Sequence, residues 1–278
     1  NPNCGWFFNA RPDDFKKIPG SPVAYWIPTS VGETFVTGFP LGKSVVMRKG
    51  MVTADNDYYI RLWFEIGIDK LGLRIKSRKE AKDSRRKWFP YTKGGEFKKW
   101  YGNNYFVVNW ENDGQLLQTK RHHTDDRIAA TNFNLDFIFN VGATYSSISS
   151  SDFSIRYVDS GFLFDQKGAP LLADKESDLL FAITLLNSRV SKLYLNILCP
   201  TLDFNSGSII HIPVIKKEKI EFTVKDIASK LISIAKINWD SYEISWDFTQ
   251  NPIIRTQKPN LEQAFNAWQQ QNSDAVAE

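Results

Sequence analysis

Over the first 170 residues, apolar and polar positions alternate in short runs interrupted by Gly, Pro, Asn and Asp, the pattern of half-buried β-strands. From residue 18, "IPGSPVAYWIP" is punctuated by Pro and Gly, and "GETFVTGFPLGKSVVMRKG" follows it. This predicts an incoming strand and turns that feed the first strand of a sheet. "YYIRLWFEI" (58–66) has the aromatic and β-branched content of a strand. "NNYFVVNWEND" reads as another, stopped by a turn at Asp113-Gly114. "TNFNLDFIFNVGATYSSIS" and "SDFSIRYVDSGFLFD" add further strands, with Gly and Ser bends between them. The span from about 35 to 167 is expected to be mainly β, with a basic insert projecting from it.

The period then changes. In "DKESDLLFAITLLNSRVSKLYLNILCP", Leu179, Leu180, Ile183, Leu186, Val190, Leu193, Tyr194 and Ile197 recur at helical spacing. One helix of roughly six turns is predicted over 175–198, opened by Asp174 or Ser177 and stopped by Pro200. "TLDFNSGSIIHIPVI" reads as a turn into a short strand, and "TVKDIASKLISIAKINW" as a second helix with Thr223 and Asp226 placed as a capping box. "WDSYEISWDF" continues as a shorter helix or turn, and from about 255 the chain is polar and helical in pattern with no closing signal. The expected fold class is α+β, a mainly antiparallel twisted β lobe with supporting helices.

A chain of 278 residues with 42% hydrophobic content buries a real core, as one large domain or two small lobes. Its 14% aromatic content excludes wholesale disorder. No apolar run approaches ~18 residues, so no membrane span is expected. "NPNCGWFFNARPDD" has no basic segment followed by an apolar one, so no signal peptide is visible. The missing initiator Met reads as processing or, better, as a piece of a longer protein. Cys4 and Cys199 are too few for a disulfide scaffold or a zinc cluster and suit a reducing cytoplasm. His122-His123 with Asp125 and Asp126 has the composition of a metal cluster, but adjacent strand residues face opposite ways. A solvated loop is the better reading, and no metal is expected.

Catalytic constellations are absent. There is no GxxxxGK[ST] loop, GxSxG elbow, HExxH helix or CxxC pair. Gly32, Gly38 and Gly42 are too widely spaced for a dinucleotide loop, and Asp152, Asp159 and Asp165 fall where turns between strands place carboxylates.

Charge points elsewhere. The net charge is +4, yet residues 74–99 alone hold eleven Lys/Arg against three Asp/Glu. Cations neutralise phosphates and aromatic faces stack on bases, so this interleaving fits nucleic-acid binding. Arg48, Lys49, Arg78, Lys79, Arg85, Arg86, Lys87, Lys93, Lys98 and Lys99 are phosphate-binding candidates. Trp88, Tyr91, Trp100 and Tyr101 either stack or pack, since lysines snorkel outward from strands whose aromatics face a core. "RKGMVTADNDYYIRLW" (48–63) places Thr53, Asn56, Asp57, Tyr59 and Arg61 at or beside a polar turn, as base-reading candidates. An ordinary Asx-rich hairpin turn is the plainer account of that loop. The rival class is a protein-interaction module in which the same surface docks a partner subunit or an acidic DNA mimic. A carbohydrate- or RNA-stacking surface is a third.

Taken together, "RKGMVTADNDYYIRLW", "KWFPYTKGGEFKKWYGNN", "LLNSRVSKLYLNILCPTLDFNSGSIIHIPV" and "WDSYEISWDF" resemble the target-recognition region of PglX, the large adenine-specific DNA methyltransferases of BREX phage defence. Looser blocks of the same kind occur in type IIG and type I restriction–modification specificity domains. The resemblance covers about residues 18–252, and the turn of its motif corresponds to Asn187, Asn205, Ser206 and Gly207. It implies a bacterial cytoplasmic protein that recognises double-stranded DNA, with other BREX subunits and a phage DNA mimic as further partners. It also implies methyl transfer from S-adenosylmethionine to adenine N6. That reaction uses an Asn/Asp-Pro-Pro-Tyr/Phe motif, and the Asn-Pro pairs here, "NPN" at residue 1 and "NPI" at 251, lack the second proline. The chain is therefore expected to bind DNA without catalysis or cofactor of its own. Residues 1–17 would link to a missing catalytic domain and 253–278 would begin a helical spacer.

Overall fold

In a computed structural model the chain is described over residues 4, 5, 8, 10–215 and 218–277, by backbone alone over 218–222. Residues 1–3, 6, 7 and 9 of the expected 1–17 linker lie outside the described residues. The chain opens with helices α1 (Pro12–Lys16) and α2 (Thr29–Thr37), then β1 (Phe39–Pro40), β2 (Val46–Met47), α3 (Asn56–Tyr59) and β3 (Ile60–Leu62). There follow α4 (Arg78–Asp83), β4 (Trp88–Thr92), β5 (Phe106–Asn109), α5 (Glu111–Thr119), β6 (Gly142–Ser146), β7 (Ile155–Val158), β8 (Leu163–Phe164) and β9 (Gly168–Leu172). Then come α6 (Glu176–Asn187), α7 (Arg189–Leu198), α8 (Ser206–Ile209), β10 (Pro213–Val214), α9 (Glu218–Trp239), α10 (Pro252–Arg255) and α11 (Leu261–Ala277).

The fold is α+β. One four-stranded sheet, in the order β2-β9-β6-β7, is antiparallel throughout. A second, β3-β5-β4-β8, is antiparallel except that β4 and β8 run parallel. β1 pairs with β10 as a separate two-stranded ribbon. The first sheet lays Ala143, Tyr145, Ile155, Ala169 and Leu171 against Leu179, Leu180 and Ile183 of α6 and Ala228 and Ile232 of α9. The second lays Ile60, Phe89, Tyr91 and Val108 against Ala81 of α4, Leu117 of α5 and Phe139. Each fully buried Leu, Ile, Val or Phe among them is worth roughly 1.5–3 kcal/mol relative to exposure.

Several sequence-based expectations change. Residues 29–37 form a helix, not strand or turn, because Val31 and Phe35, four apart, pack on the Ile18, Ala24 and Ile197 cluster. Most of "TNFNLDFIFN" is turns, and the regular strand there is confined to β6. The 175–198 helix is two helices. Ser188 leaves helical geometry at ψ 163°, and its hydroxyl accepts from the Ser191 N–H to start α7. α9 begins at Glu218, so Thr223 lies inside the helix and caps nothing. The basic segment is not an insert projecting from the β lobe: β4, at its middle, is a fully buried interior strand. Pro90 is tolerated there because Trp88 and Thr92 send their carbonyls to Gly72 and Asp165 on one side, and its imide nitrogen faces the interval between them. β5 ends as expected, the chain turning left-handed through Asn112, Asp113 and Gly114.

Candidate nucleic-acid interface

The polar loop 53–57 does not close a hairpin; it turns through Ala54 (φ 62°) and starts α3. Asp55 is its hub. One carboxylate oxygen accepts the Tyr58 N–H (3.1 Å), capping α3, and the other accepts from Lys120 Nζ (3.3 Å). Thr53 Oγ1 donates to Asn56 Oδ1 (2.7 Å), which leaves the Asn56 amide nitrogen to donate outward. Asn56 and Asp57 are exposed, a donor beside an acceptor. Thr53 and Tyr59 are only 2% and 1% exposed, so they shape the loop from within.

Arg61 stands on edge strand β3. Its Nη1 donates to the Asp57 and Ile60 carbonyls (2.5 and 2.6 Å), and its guanidinium lies 5.7 Å from the Trp88 ring centre. A shallow groove brings Asn56, Asp57 and Arg61 together with Glu65, Phe106 and Lys93. Lys93 rests over the Phe106 ring at 5.9 Å and has no ion-pair partner among the described residues. The groove thus joins three base-reading candidates to one phosphate-binding candidate.

The other candidates divide. Lys49, Lys79, Arg85 and Arg86 are exposed and make no ion pair among the described residues. Arg48 donates to the Met47 carbonyl (3.2 Å) and covers Phe137. Lys87 lies 4.0 Å from Glu111 and 5.8 Å from the Trp88 ring. Arg78 grips Asp113 through Nε and Nη2 (3.0 and 2.5 Å), and that hydrogen bond raises its pKa further. Lys98 is half-buried over Trp239 (4.8 Å), where burial and the nearby Arg156 charge lower its pKa. Lys99 donates to the Asn187 carbonyl (2.7 Å) at the end of α6.

The aromatics are packing residues. Trp88, Tyr91 and Tyr101 are buried, and Trp100 is half-buried against the first core. Tyr91 donates to the Met51 carbonyl (3.0 Å). Trp100 extends the sheet along β7, donating its N–H to Ile155 and accepting from Tyr157. The family-motif residues are structural too. Asn187 imitates a strand, donating to the Ile155 carbonyl and accepting its N–H (2.9 and 3.1 Å). Asn205 caps α8 by accepting from Ser208 (2.9 Å), with Ser206 and Gly207 in its first turn. Asp152 pairs with Lys192, Asp159 with Lys236, and Asp165 accepts the Lys167 N–H.

Tyr58, 52% exposed on α3, and Lys120, tied to Asp55, belong to this surface but escaped the sequence reading. "YY" gives no cue to which ring faces out, and nothing in the sequence links Lys120 to a residue 65 positions earlier.

Among the described residues no group of three or more His, Cys, Asp or Glu could hold a metal ion, and no helix is long and apolar enough to cross a membrane. His122 and His123 stack at 4.5 Å, with His122 Nδ1 2.7 Å from Thr124 Oγ1.

The chain is 36% identical over 280 residues to adenine-specific methyltransferase PglX of Lacticaseibacillus casei (strain Zhang), covering 99% of this chain and 23% of that protein. Adenine-specific methyltransferase BrxX of Escherichia coli O9:H4 (strain HS) is 36% identical over 255 residues, 91% of this chain and 19% of that protein. The chain therefore spans about a fifth to a quarter of the length of the curated relatives it matches. No protein-family model matches it.

Proposed function

The chain is related to part of the PglX-type adenine-specific methyltransferases, and on that footing we propose that it is their DNA-recognition segment, reading a short double-stranded site in BREX phage defence. The observation that carries this reading is the groove uniting Asn56, Asp57, Arg61 and Lys93 on one surface of the second sheet. Asn56 offers an amide donor and Asp57 a carboxylate acceptor, the pair of groups that distinguishes base edges in a major groove. Lys79, Arg85, Arg86 and Lys93 supply the sequence-independent hold on phosphates. Residues 18–252 form the recognition unit in this reading, with 1–17 a linker and 253–278 a helical spacer. S-adenosylmethionine and the methyl-transfer chemistry belong to other parts of the parent protein.

The test is to sequence modified bases in cells whose parent enzyme carries Asn56→Ala or Asp57→Ala. A changed or lost modified motif supports base reading by this groove. Full modification of an unchanged motif by both variants removes it.

A further inference from the structure

A second arm stands beside the reading loop. Residues 120–129, leaving α5, fold as a hairpin: the His122 N–H donates to the Arg127 carbonyl (2.8 Å), the Ala129 N–H donates to the Lys120 carbonyl (2.9 Å), and Arg121 pairs with Ile128. The base of the arm is fastened to the loop from both sides. Lys120 Nζ holds Asp55, the residue that caps α3, and lies 5.2 and 5.4 Å from the Tyr58 and Tyr59 ring centres. Thr131 and Val52 exchange two backbone hydrogen bonds of 3.0 Å. The hairpin and α3 are therefore set at a fixed separation, as two contacts on one ligand must be.

The tip differs from the basic helix α4. Arg127 is paired with Asp125 (2.7 Å) and Arg121 with Asp126 (3.4 Å), so its acids and arginines cancel. A tip of that kind gains little from counterion release, yet it presents imidazoles, a hydroxyl, carboxylates and guanidinium edges, a mixed set of donors and acceptors. We propose that the His122–Arg127 tip is a second base-reading prong, contacting base edges of the same duplex that α3 engages. This rests on the DNA-recognition reading above. The prong adds discrimination and leaves the salt dependence of binding unchanged, because it neutralises no phosphate.

The experiment uses the parent protein with His123→Ala, His123→Ala/Arg127→Ala, and Lys120→Met, which removes one of the arm's two fastenings. Binding to duplexes bearing the wild-type motif or single-base changes is measured across a salt series, alongside modified-base sequencing. The expected result is a roughly tenfold fall in discrimination at one or more positions, about one good base contact, with an unchanged slope of log K on log salt. Unchanged discrimination in all three variants, while Asp57→Ala alters the motif, overturns the prong and leaves the DNA reading standing. A slope reduced by about one, the signature of a lost phosphate contact, overturns it too. If wild type itself shows no salt-dependent duplex binding, the DNA reading fails first.

Discussion

Two groups of cations on this chain have the same chemistry and opposite surroundings. Lys98, Lys99 and Lys236 sit where the first sheet and its helices meet the rest of the chain, and each is used up internally. Lys98 covers Trp239, Lys99 closes the end of α6, and Lys236 Nζ lies 2.8 Å from the Tyr101 hydroxyl and within 4 Å of Asp159, Asp240 and Asp247. Burial opposes the charge on Lys236, but the Tyr101 hydrogen bond and the carboxylates outweigh it and hold the pKa above the ordinary lysine range. Lys79, Arg85, Arg86 and Lys93, in the second-sheet region, have no ion-pair partner among the described residues. A run of lysines in a sequence is therefore not one feature. Part of it fastens the fold, and part of it stays without an ion-pair partner among the described residues.

The largest test of the fastening group is Trp239→Ala. Trp239 is buried between the Lys98 ammonium and the Tyr105 ring, whose centre is 5.1 Å away. Emptying that site is expected to cost about 3–5 kcal/mol in chemical denaturation. A cost below about 1 kcal/mol would mean that α9 is only loosely seated on the sheet, and the comparison would lose its first half.

Next comes alkaline titration. Burial raises Tyr101 from 10.0 to about 12 despite the neighbouring Lys236. Above pH 10 the unfolded chain ionises this tyrosine first and binds fewer protons than the folded one, so stability falls as pH rises from about 10 to 12. Lys236, also raised, acts in the same direction: its stabilisation is complete below 10.5 and is lost as pH climbs through its folded value. Tyr101→Phe should flatten the fall by up to about 3 kcal/mol, the free energy of moving this pKa from 10.0 to about 12. An unaltered alkaline profile would place the sensitivity elsewhere.

How much of this was readable beforehand follows from the range of each interaction. β5, β6 and β7 were legible because aromatic and β-branched content between turn residues is a local signal. α2 was not, since "TSVGETFVT" is rich in β-branched residues, and only packing on Ile18 and Ile197 overrides that preference. The break at Ser188 was hidden because both halves keep the helical period across it; the Ser188-to-Ser191 cap was the available cue. At the site, the groove residues Asn56, Asp57 and Arg61 were legible as a polar turn, whereas the burial of Tyr59 and Thr53 was not. Which lysines are free depends on partners far along the chain, Asn187 for Lys99 and Trp239 for Lys98, and no local pattern encodes them.

The second group is tested by Arg85→Ala combined with Arg86→Ala. Neither side chain has an ion-pair or hydrogen-bond partner among the described residues, so stability should stay within about 0.5 kcal/mol. If both meet phosphates, the slope of log K on log salt for duplex binding becomes shallower by about 1.8 and affinity falls alike for cognate and altered sites. A stability loss above about 1 kcal/mol with an unchanged slope would move this pair into the fastening group.

The smallest effect is the sharpest discriminator, because Lys99 stands in the same run of sequence as the free cations. Its ammonium donates to the last carbonyl of α6 and sits 5.9 Å from the Phe97 ring, so its charge complements a helix C-terminus. Lys99→Gln removes the charge and shortens the reach, and should cost about 0.3–1 kcal/mol of stability. Arg189, at the start of α7, and Lys192 share the cleft with Lys99, so a phosphate there would find more than one cation. The slope of duplex binding decides between the two uses. An unchanged slope with a small stability loss leaves Lys99 a fastener. A slope reduced by about 0.9 with intact stability makes it a phosphate contact, and the division between buried and free cations then no longer separates scaffold from recognition.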